Sequence, residues 1–511
     1  MLRNFLYKAI DVIFYGLIFA ILAVLLIVDR YNTDYFYNTV PLPNIILIFA
    51  SLFLVILMVY GLKRIEFRWN PKKIMLALSA LLLVVEIVIV YNIFLYIDWD
   101  VRFIRDGANY YIAGVKDAFT EDYFKMNPNN VMLLSFTILA ERIGTLLGIN
   151  GYKIVILIAI IITNLSVLLT GIVTYEISRN DKLSLICYGF AAVLVGISPW
   201  MMVPYSDTFS LILPIGEIYL YVKCKKATTR PRKRALFLLM AFGALFMYLI
   251  KPTNIIILLA IIIYEIIETN RCNYKKWLGI VGGIIIAAVL AYGLQAAVWN
   301  ALGYESDPNR EKPVSHYLMI GANYESVGQY TNEDHLYSDS FDGKSLKTEM
   351  NIRKIKERLN YMGPVGYARH MIKKTDLNFN SGIFGWGKEI GFYSSIPDKD
   401  GALATFLRNI YYVDGPCVLW NNFGCYGEKF GLLVLVEQFM WLTILFMCSL
   451  TMVVRDNRLA IMKMAIVGMI LFVSLFETNA RYIYSYVPVF ILLAGMSLPG
   501  LVGRSNGENN K

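Results

Sequence analysis

Residues 98–130, DWDVRFIRDGANYYIAGVKDAFTEDYFKMNPNN, form a polar and aromatic-rich stretch that follows an apolar run ending near Ile97. The stretch opens on Asp98 and Asp100 and closes on the turn Asn127-Pro128-Asn129-Asn130. An enzyme that works at the membrane boundary would hold its general base in such a loop, where carboxylates lie at the end of a hydrophobic bundle. We therefore interpret the rest of the chain as a scaffold for this loop.

The composition indicates a membrane protein. Of the 511 residues, 57% are hydrophobic and 17% are charged, whereas soluble domains carry about 25% charged residues. Apolar runs of about 17–25 residues, the length that crosses a bilayer, recur along the chain. The predicted fold class is an all-α polytopic membrane protein. Its first run, from Asp11 to Val28, follows Arg3 and Lys8 and is predicted to be an uncleaved signal anchor.

The basic residues predict which loops lie inside. The loop Gly61–Lys73 carries five basic residues against Glu66, and residues 223–234 carry no acid. Both loops are therefore predicted to be cytoplasmic by the positive-inside rule, which also accounts for the net charge of +10. Twelve spans follow, with both termini inside: about 11–28, 44–62, 74–97, 153–175, 183–200, 206–222, 235–250, 254–269, 277–298, 431–453, 459–476 and 482–500.

One further apolar segment, 131–148, does not fit this count. It carries Glu141 and Arg142 in its middle, which are costly at the bilayer centre, and a crossing here would invert every later loop. We predict a juxtamembrane or re-entrant helix.

The predicted domains are a transmembrane module at 1–298, with the outer loop 98–130, then a mixed extracytoplasmic domain at 299–430 and C-terminal transmembrane helices at 431–511. In the middle domain, Cys417 and Cys425 are either a disulfide or two free thiols.

The distinctive polar motifs all fall on the predicted outer side. Besides the first loop, they are Ser198-Pro199-Trp200, Tyr205-Ser206-Asp207, Lys251-Pro252 and Ala480-Arg481-Tyr482. The middles of the spans consist of Leu, Ile, Val and Ala, with few ionisable residues. A transporter would place polar residues at the midplane. The pattern instead favours chemistry between a lipid-borne group and an outer acceptor.

These motifs, in this order, resemble the GT-C superfamily of integral-membrane glycosyltransferases, which use polyprenyl-phosphate sugars. The resemblance covers about 90–260 and the last forty residues, and it includes Asp106-Gly107-Ala108 and Asn127-Pro128. Residues 313–321, PVSHYLMIG, resemble a variant in bacterial cell-envelope members. The hairpin at about 11–62 is additional to the commonest family pattern. The resemblance implies a GT-C-like fold and a cell-membrane enzyme whose active site faces outward.

An inverting transfer needs a base for the acceptor hydroxyl and positive charge for the leaving phosphate. We expect Asp100 to be the base, with Asp98 as second choice. The donor-phosphate candidates are Lys251, Arg481 and Arg102, and the substrate-binding candidates are Asp207, Tyr205, His316 and Asp106. The alternative interpretations are a helix cap or solvated pair for the two aspartates, and snorkelling to headgroups for the cations.

The partners implied are a polyprenyl-phosphate-linked sugar, an envelope polysaccharide, teichoic acid or glycolipid acceptor, and the membrane, with no nucleic acid. No cofactor is indicated with certainty. The three histidines form no zinc pattern, and a divalent metal stays an open alternative. Two other functions remain: a transporter, flippase or polymerase of envelope polysaccharide, and a non-catalytic component that modulates a partner enzyme.

Overall fold

The computed structural model describes residues 2–28, 42–67, 69–93, 95–269, 274–305, 307–386, 393–395, 401–411 and 429–502. Cys417 and Cys425 lie outside the described residues, as does the end of the chain after Val502. The first thirteen helices are α1 (Leu2–Ile27), α2 (Asn44–Arg64), α3 (Pro71–Ile93), α4 (Trp99–Ala113), α5 (Ala118–Met126), α6 (Val131–Leu147), α7 (Gly151–Ser178), α8 (Asp181–Ala191), α9 (Ser206–Phe209), α10 (Ile212–Lys226), α11 (Arg230–Ile250), α12 (Ile255–Glu268) and α13 (Tyr274–Leu302).

The second half is also helical. It contains α14 (Val314–Gly321), α15 (Asn332–Asp339), α16 (Lys344–Phe379), α17 (Ala402–Tyr411), α18 (Phe430–Leu450), α19 (Ala460–Leu475), α20 (Arg481–Tyr484), α21 (Val487–Gly495) and α22 (Ser497–Val502). Two short strands, β1 (Tyr96–Ile97) and β2 (Tyr393–Ser395), pair antiparallel. The predicted mixed character of 299–430 is limited to β2 in the described residues.

Nine of the described helices are long and apolar enough to cross a membrane, namely α1, α2, α3, α6, α7, α11, α13, α18 and α19. The remaining predicted spans correspond to shorter helices, α8, α10 and α12, and to the apolar segment Val487–Val502 formed by α21 and α22. Helix α8 continues into a π-turn at Ala192–Gly196. The chain is therefore an all-α, multi-pass membrane protein.

The side-chain contacts divide the bundle into two ends. Lys72 and Lys223, from two loops predicted to be cytoplasmic, both contact the carboxylate of Glu176 near the end of α7. Asp100 and Tyr205, from two segments predicted to face outside, meet at the other end. Segments that the charge pattern assigns to one side thus come together in space.

Helix α6 begins and ends at the same end of the bundle. Asn130, at its start, reaches the Tyr205 hydroxyl at 3.4 Å. Glu141, near its end, accepts from the Gly151 N–H, and the neighbouring Tyr152 stacks on Tyr96 of β1 at 4.9 Å. Although α6 is long enough to span by length and composition, these contacts favour the juxtamembrane interpretation.

Amide side chains tie the N-terminal hairpin to the second half of the chain. Asn44, at the start of α2, donates to Asn380 Oδ1 at 2.8 Å. Gln438 of α18 donates to both Asn380 Oδ1 and Asn44 Oδ1, at 2.8 and 3.2 Å. Buried amides without partners are costly, so this triangle fixes α1 and α2 against α16 and α18.

The helices after α13 pack on the loop that precedes α20. A Cβ atom on Gly321 would lie 2.3 Å from the Leu475 carbonyl oxygen, so only glycine fits this contact. Lys374 of α16 donates to the Gly321 and Phe476 carbonyls at 2.9 and 2.6 Å. Helix α16 bends at Gly363 (φ +59°), immediately before Pro364. The segment α14–α16 therefore covers one end of the bundle.

The spans contain buried carboxyl groups that the sequence interpretation overlooked. Glu86, Glu217 and Glu437 are each at most 1% exposed. Glu86 accepts from Asn164 Nδ2 at 3.0 Å, whereas both carboxyl oxygens of Glu217 and of Glu437 have no hydrogen-bond partner among the described residues. The expectation that the span interiors hold few ionisable residues is thus wrong for α3, α10 and α18.

The topology predicts which positions a membrane-impermeant maleimide reaches in intact cells. In a cysteine-free background, Asn332→Cys and Gly401→Cys should react from outside, and Thr228→Cys should react only after permeabilisation. All three positions are exposed, so labelling reports sidedness rather than burial. Labelling of Thr228→Cys in intact cells would overturn the assignment.

Candidate functional site

The stretch 98–130 folds as two short helices followed by a turn. Gly114 ends α4 in the left-handed conformation (φ +66°), and Asp117 caps α5 by accepting from the Thr120 N–H at 2.8 Å. The rings of Phe103 and Tyr123 stack at 4.1 Å with 5° between their planes. This stacking holds α5 against α4 and brings the Tyr123 hydroxyl to Asp100.

Both oxygens of Asp100 accept a phenol proton. Tyr123 donates to Oδ1 at 2.8 Å, and Tyr205 donates to Oδ2 at 2.9 Å. Asn130 in turn donates to the Tyr123 hydroxyl at 2.7 Å and to the Tyr205 hydroxyl at 3.4 Å. Because Asn130 supplies protons to both phenol oxygens, both phenol protons point to Asp100.

The two phenols stay protonated at neutral pH. Burial, followed by the nearby Asp100 charge, raises the pKa of Tyr123 and the pKa of Tyr205 well above the usual value of a phenol. Two neutral donors stabilise an ionised carboxylate. Each oxygen of the Asp100 carboxyl group thus accepts a hydrogen bond from a neutral phenol.

A second group of charged residues, Asp207, Lys251 and Arg481, lies near Asp100. Asp207, in the single turn of α9, contacts Lys251 Nζ through Oδ1 at 2.5 Å and lies 3.9 Å from Arg481 Nε through Oδ2. Lys251 follows the last residue of α11, and Arg481 opens α20. All three are at most 9% exposed. Burial lowers the pKa of the Lys251 ammonium, and the Asp207 charge opposes that shift.

The ring of Tyr205 joins the two groups. The Arg481 guanidinium lies 4.4 Å from the Trp99 ring centroid and 5.6 Å from that of Tyr205, and Trp99 meets Tyr205 edge-on at 4.9 Å. The Tyr205 hydroxyl reaches Asp100. One aromatic ring therefore separates the carboxylate of Asp100 from the guanidinium of Arg481.

Two residues that flank α14 lie within electrostatic range of Asp100. Burial lowers the pKa of Lys312, and the charges of Asp339 and Asp100 oppose that shift. Burial raises the pKa of Tyr330 to about 12, and the Asp100 charge adds to that shift. His316 is 1% exposed. Burial, then Lys312, lowers its pKa to about 3, so the imidazole is neutral at pH 7. Its Nδ1 has no hydrogen-bond partner in the described part of the chain.

The other predicted residues of α4 contact one another rather than Asp100. Arg102 and Asp106 form an i,i+4 ion pair at 3.1 Å, and Arg102 is 56% exposed. Asp98 faces Arg105 at 3.9 Å. The structure thus brings Asp100, Tyr205, Asp207, Lys251 and Arg481 together, and it places Arg102, Asp106 and Asp98 around Arg105 instead.

Three further residues belong to the site but were not predicted as site residues, namely Trp99, Tyr123 and Asn130. The only sequence signal for Asn130 was its place in the Asn-Pro turn. No signal pointed to Tyr123, whose role depends on the antiparallel return of α5. Among the described residues, no group of three or more His, Cys, Asp or Glu side chains is close enough together to hold a metal ion.

Comparison with known families identifies the chain only broadly. Residues 2–502 match the family described as a conserved hypothetical integral membrane protein. The match covers nearly the whole chain, so the chain belongs to that family. No curated protein and no solved structure matches it significantly.

The buried ion pair predicts an asymmetric effect on stability. Lys251→Met removes one partner and leaves Asp207 buried beside Arg481 alone, which should destabilise the protein by about 3–5 kcal/mol. Lys251→Met combined with Asp207→Asn should recover part of that loss. Thermal unfolding of the purified variants measures both effects.

The matched control is Lys354→Met. Lys354 pairs with Glu357, whose side chain is 65% exposed, so this substitution should lower the free energy of unfolding by only about 0–1 kcal/mol. Strict additivity of the Lys251 and Asp207 effects would contradict a coupled pair.

Proposed function

We propose that this member of the family is a GT-C-like membrane glycosyltransferase. It transfers a sugar from a polyprenyl-phosphate donor to an extracytoplasmic acceptor of the cell envelope, such as a polysaccharide, a teichoic acid or a glycolipid. The observation that carries the proposal is the arrangement across Tyr205: its hydroxyl bonds Asp100, and its ring lies against Arg481. A base and a phosphate-binding cation thus stand one ring apart, as the transfer requires.

In the proposed reaction, the acceptor hydroxyl gives its proton to Asp100 while its oxygen forms a bond to the anomeric carbon. The bond from that carbon to the phosphate oxygen breaks, with inversion, and polyprenyl phosphate leaves. Lys251 and Arg481, which both lie beside Asp207, supply positive charge to the phosphate, on which negative charge develops.

Buried polar atoms without partners mark where a sugar would fit. In the described part of the chain they include Trp99 Nε1, at the start of α4. His316 Nδ1, in α14, is another. Buried polar groups are normally satisfied. A polyhydroxylated ligand would supply the missing hydrogen bonds.

A specific observation favours transport as the second candidate. Glu86 and Asn164 form a buried polar pair between α3 and α7, and an ionisable residue inside a membrane often marks an ion or substrate pathway. Glu86→Gln discriminates the two functions. Sugar transfer should persist in this variant, whereas a transport pathway that needs the carboxylate should lose its flux.

The catalytic prediction concerns Asp100→Asn. The amide keeps the shape, accepts one of the two phenol protons on its oxygen and presents its NH2 group to the other phenol oxygen, but it cannot take the proton of the acceptor hydroxyl. Transfer from a polyprenyl-phosphate sugar should fall by about 10²–10⁴-fold, with little change in thermal unfolding. A rate near that of the parent protein would exclude Asp100 as the base.

Asp98→Asn is the matched control, because it changes the neighbouring carboxylate that faces Arg105. It should retain most of the activity. If Asp98→Asn alone is inactive, the roles within the pair are reversed.

The donor prediction concerns the two cations. Lys251→Ala and Arg481→Ala should each raise the KM for the polyprenyl-phosphate donor, because each removes a charge from the phosphate site. The charge-conserving variants Lys251→Arg and Arg481→Lys should restore part of the donor affinity. An unchanged donor KM in both alanine variants, measured on folded protein, would reduce the two residues to a structural ion pair.

A further inference from the structure

Four cations converge on one buried carboxylate at the end of the bundle opposite Asp100. We call this group the Glu176 cluster. Its members are Glu176 of α7, Lys72 of α3, Arg179 after α7, and Lys223 and Lys226 of α10. The distances from the Glu176 carboxylate are 2.7 Å to Lys223, 3.2 Å to Lys72 and Lys226, and 3.4 Å to Arg179. Three different helices therefore contribute to one charged site.

The charges of the Glu176 cluster do not balance. Four cations and one carboxylate leave an excess of three positive charges. The Glu176 side chain is 4% exposed, whereas those of Lys72, Lys226 and Arg179 are 41–57% exposed. The carboxylate thus fixes the cations from within, and their outer sides remain accessible. Holding four cations together is repulsive, and an external anion relieves that repulsion.

The cluster lies where a lipid headgroup would lie. Glu176 is 24 residues along α7 from Tyr152, or about 36 Å at 1.5 Å per residue, and Tyr152 belongs to the opposite end. The Tyr175 ring lies 4.9 Å from Lys72 Nζ and 5.6 Å from the Arg179 guanidinium. Leu76, one turn along α3 from Lys72, is 62% exposed. Along this surface, the accessible cations are thus followed by an aromatic ring and then by an exposed apolar side chain.

We propose that the Glu176 cluster binds the phosphate of an anionic phospholipid in the leaflet at this end of the bundle. The lysine and arginine side chains donate to the phosphate oxygens, and the acyl chains lie along the apolar surface beside Leu76. The positive-inside rule requires only scattered basic residues. It does not require cations of three helices to meet around a buried carboxylate. The proposal is independent of the glycosyltransferase function, because it concerns the other end of the bundle.

The test uses the full-length protein in vesicles of phosphatidylcholine with and without phosphatidylglycerol. Native mass spectrometry after detergent release measures the bound phosphatidylglycerol. The triple variant K72Q/K223Q/K226Q should retain it on the order of 100-fold more weakly, since each of these lysines donates directly to the phosphate and the loss of one such hydrogen bond costs about fivefold, or about 1 kcal/mol. The charge-conserving variant K72R/K223R/K226R should retain it as the parent protein does.

Two controls keep the result interpretable. The variant K63Q/R64Q/K225Q removes three charges at the same end but outside the cluster, where Lys225 pairs with Glu265, and it should bind as the parent does. The single variant Arg179→Gln leaves three cations around Glu176, so it should fold normally and bind about fivefold more weakly.

Equal retention by the parent and both glutamine triples would overturn the site. Sodium pyrophosphate added to phosphatidylcholine vesicles distinguishes the source of the phosphate. The melting temperature of the protein is measured with pyrophosphate and, separately, with phosphatidylglycerol. If pyrophosphate raises it as much as phosphatidylglycerol does, the site binds a soluble phosphate and the lipid proposal fails.

Discussion

The ion pair of Asp207 with Lys251 and Arg481 is the contact on which the Asp100 end of the bundle depends. It joins α9, the end of α11 and the start of α20, which are far apart in the chain. Charged groups this deeply buried are tolerated only when they are paired. The pair therefore fixes the three segments in one arrangement, and that arrangement places Tyr205 between Arg481 and Asp100. The position of the proposed base thus follows from an ion pair of which it is not a member.

The sequence predicted five of the eight residues of this site for a clear physical reason. Each of the five stands where an apolar run ends on the predicted outer side, and polar residues at such points are expected at one aqueous boundary. They are Asp100, Tyr205, Asp207, Lys251 and Arg481. Their grouping is therefore readable from order and sidedness alone. Tyr123 and Asn130 were not readable as site residues, because their role depends on how α5 folds back over α4. That fold depends on the Gly114 turn, the Asp117 cap and the Phe103 ring.

The helical membrane fold was likewise predicted from hydropathy, and the inner loops from charge. The buried carboxyls were missed because one glutamate among many apolar residues hardly changes the mean hydropathy of a span. The structure gives Glu86 a partner in Asn164, which lies 78 positions away. Likewise, the ends of α6 were assigned to one side by the parity of the loops and by the cost of Glu141 and Arg142 in its middle. The contacts of Asn130 and Glu141 supply the geometric basis that the sequence lacked.

The amide triangle of Asn44, Asn380 and Gln438 has a consequence for biosynthesis. Asn44 belongs to the second helix to leave the ribosome, yet Gln438 follows it by 394 positions. At about 5–20 residues per second, the intervening chain takes on the order of 20–80 s to synthesise. Until the later partners are made, the Asn44 amide of the α1–α2 hairpin bonds only the Leu25 carbonyl of its own hairpin; Asn380 follows Asn44 by 336 positions, and Gln438 comes last. The packing of the first helices is therefore completed only when the last helices are made. A chain truncated before α18 would lack the Gln438 hydrogen bond to Asn44.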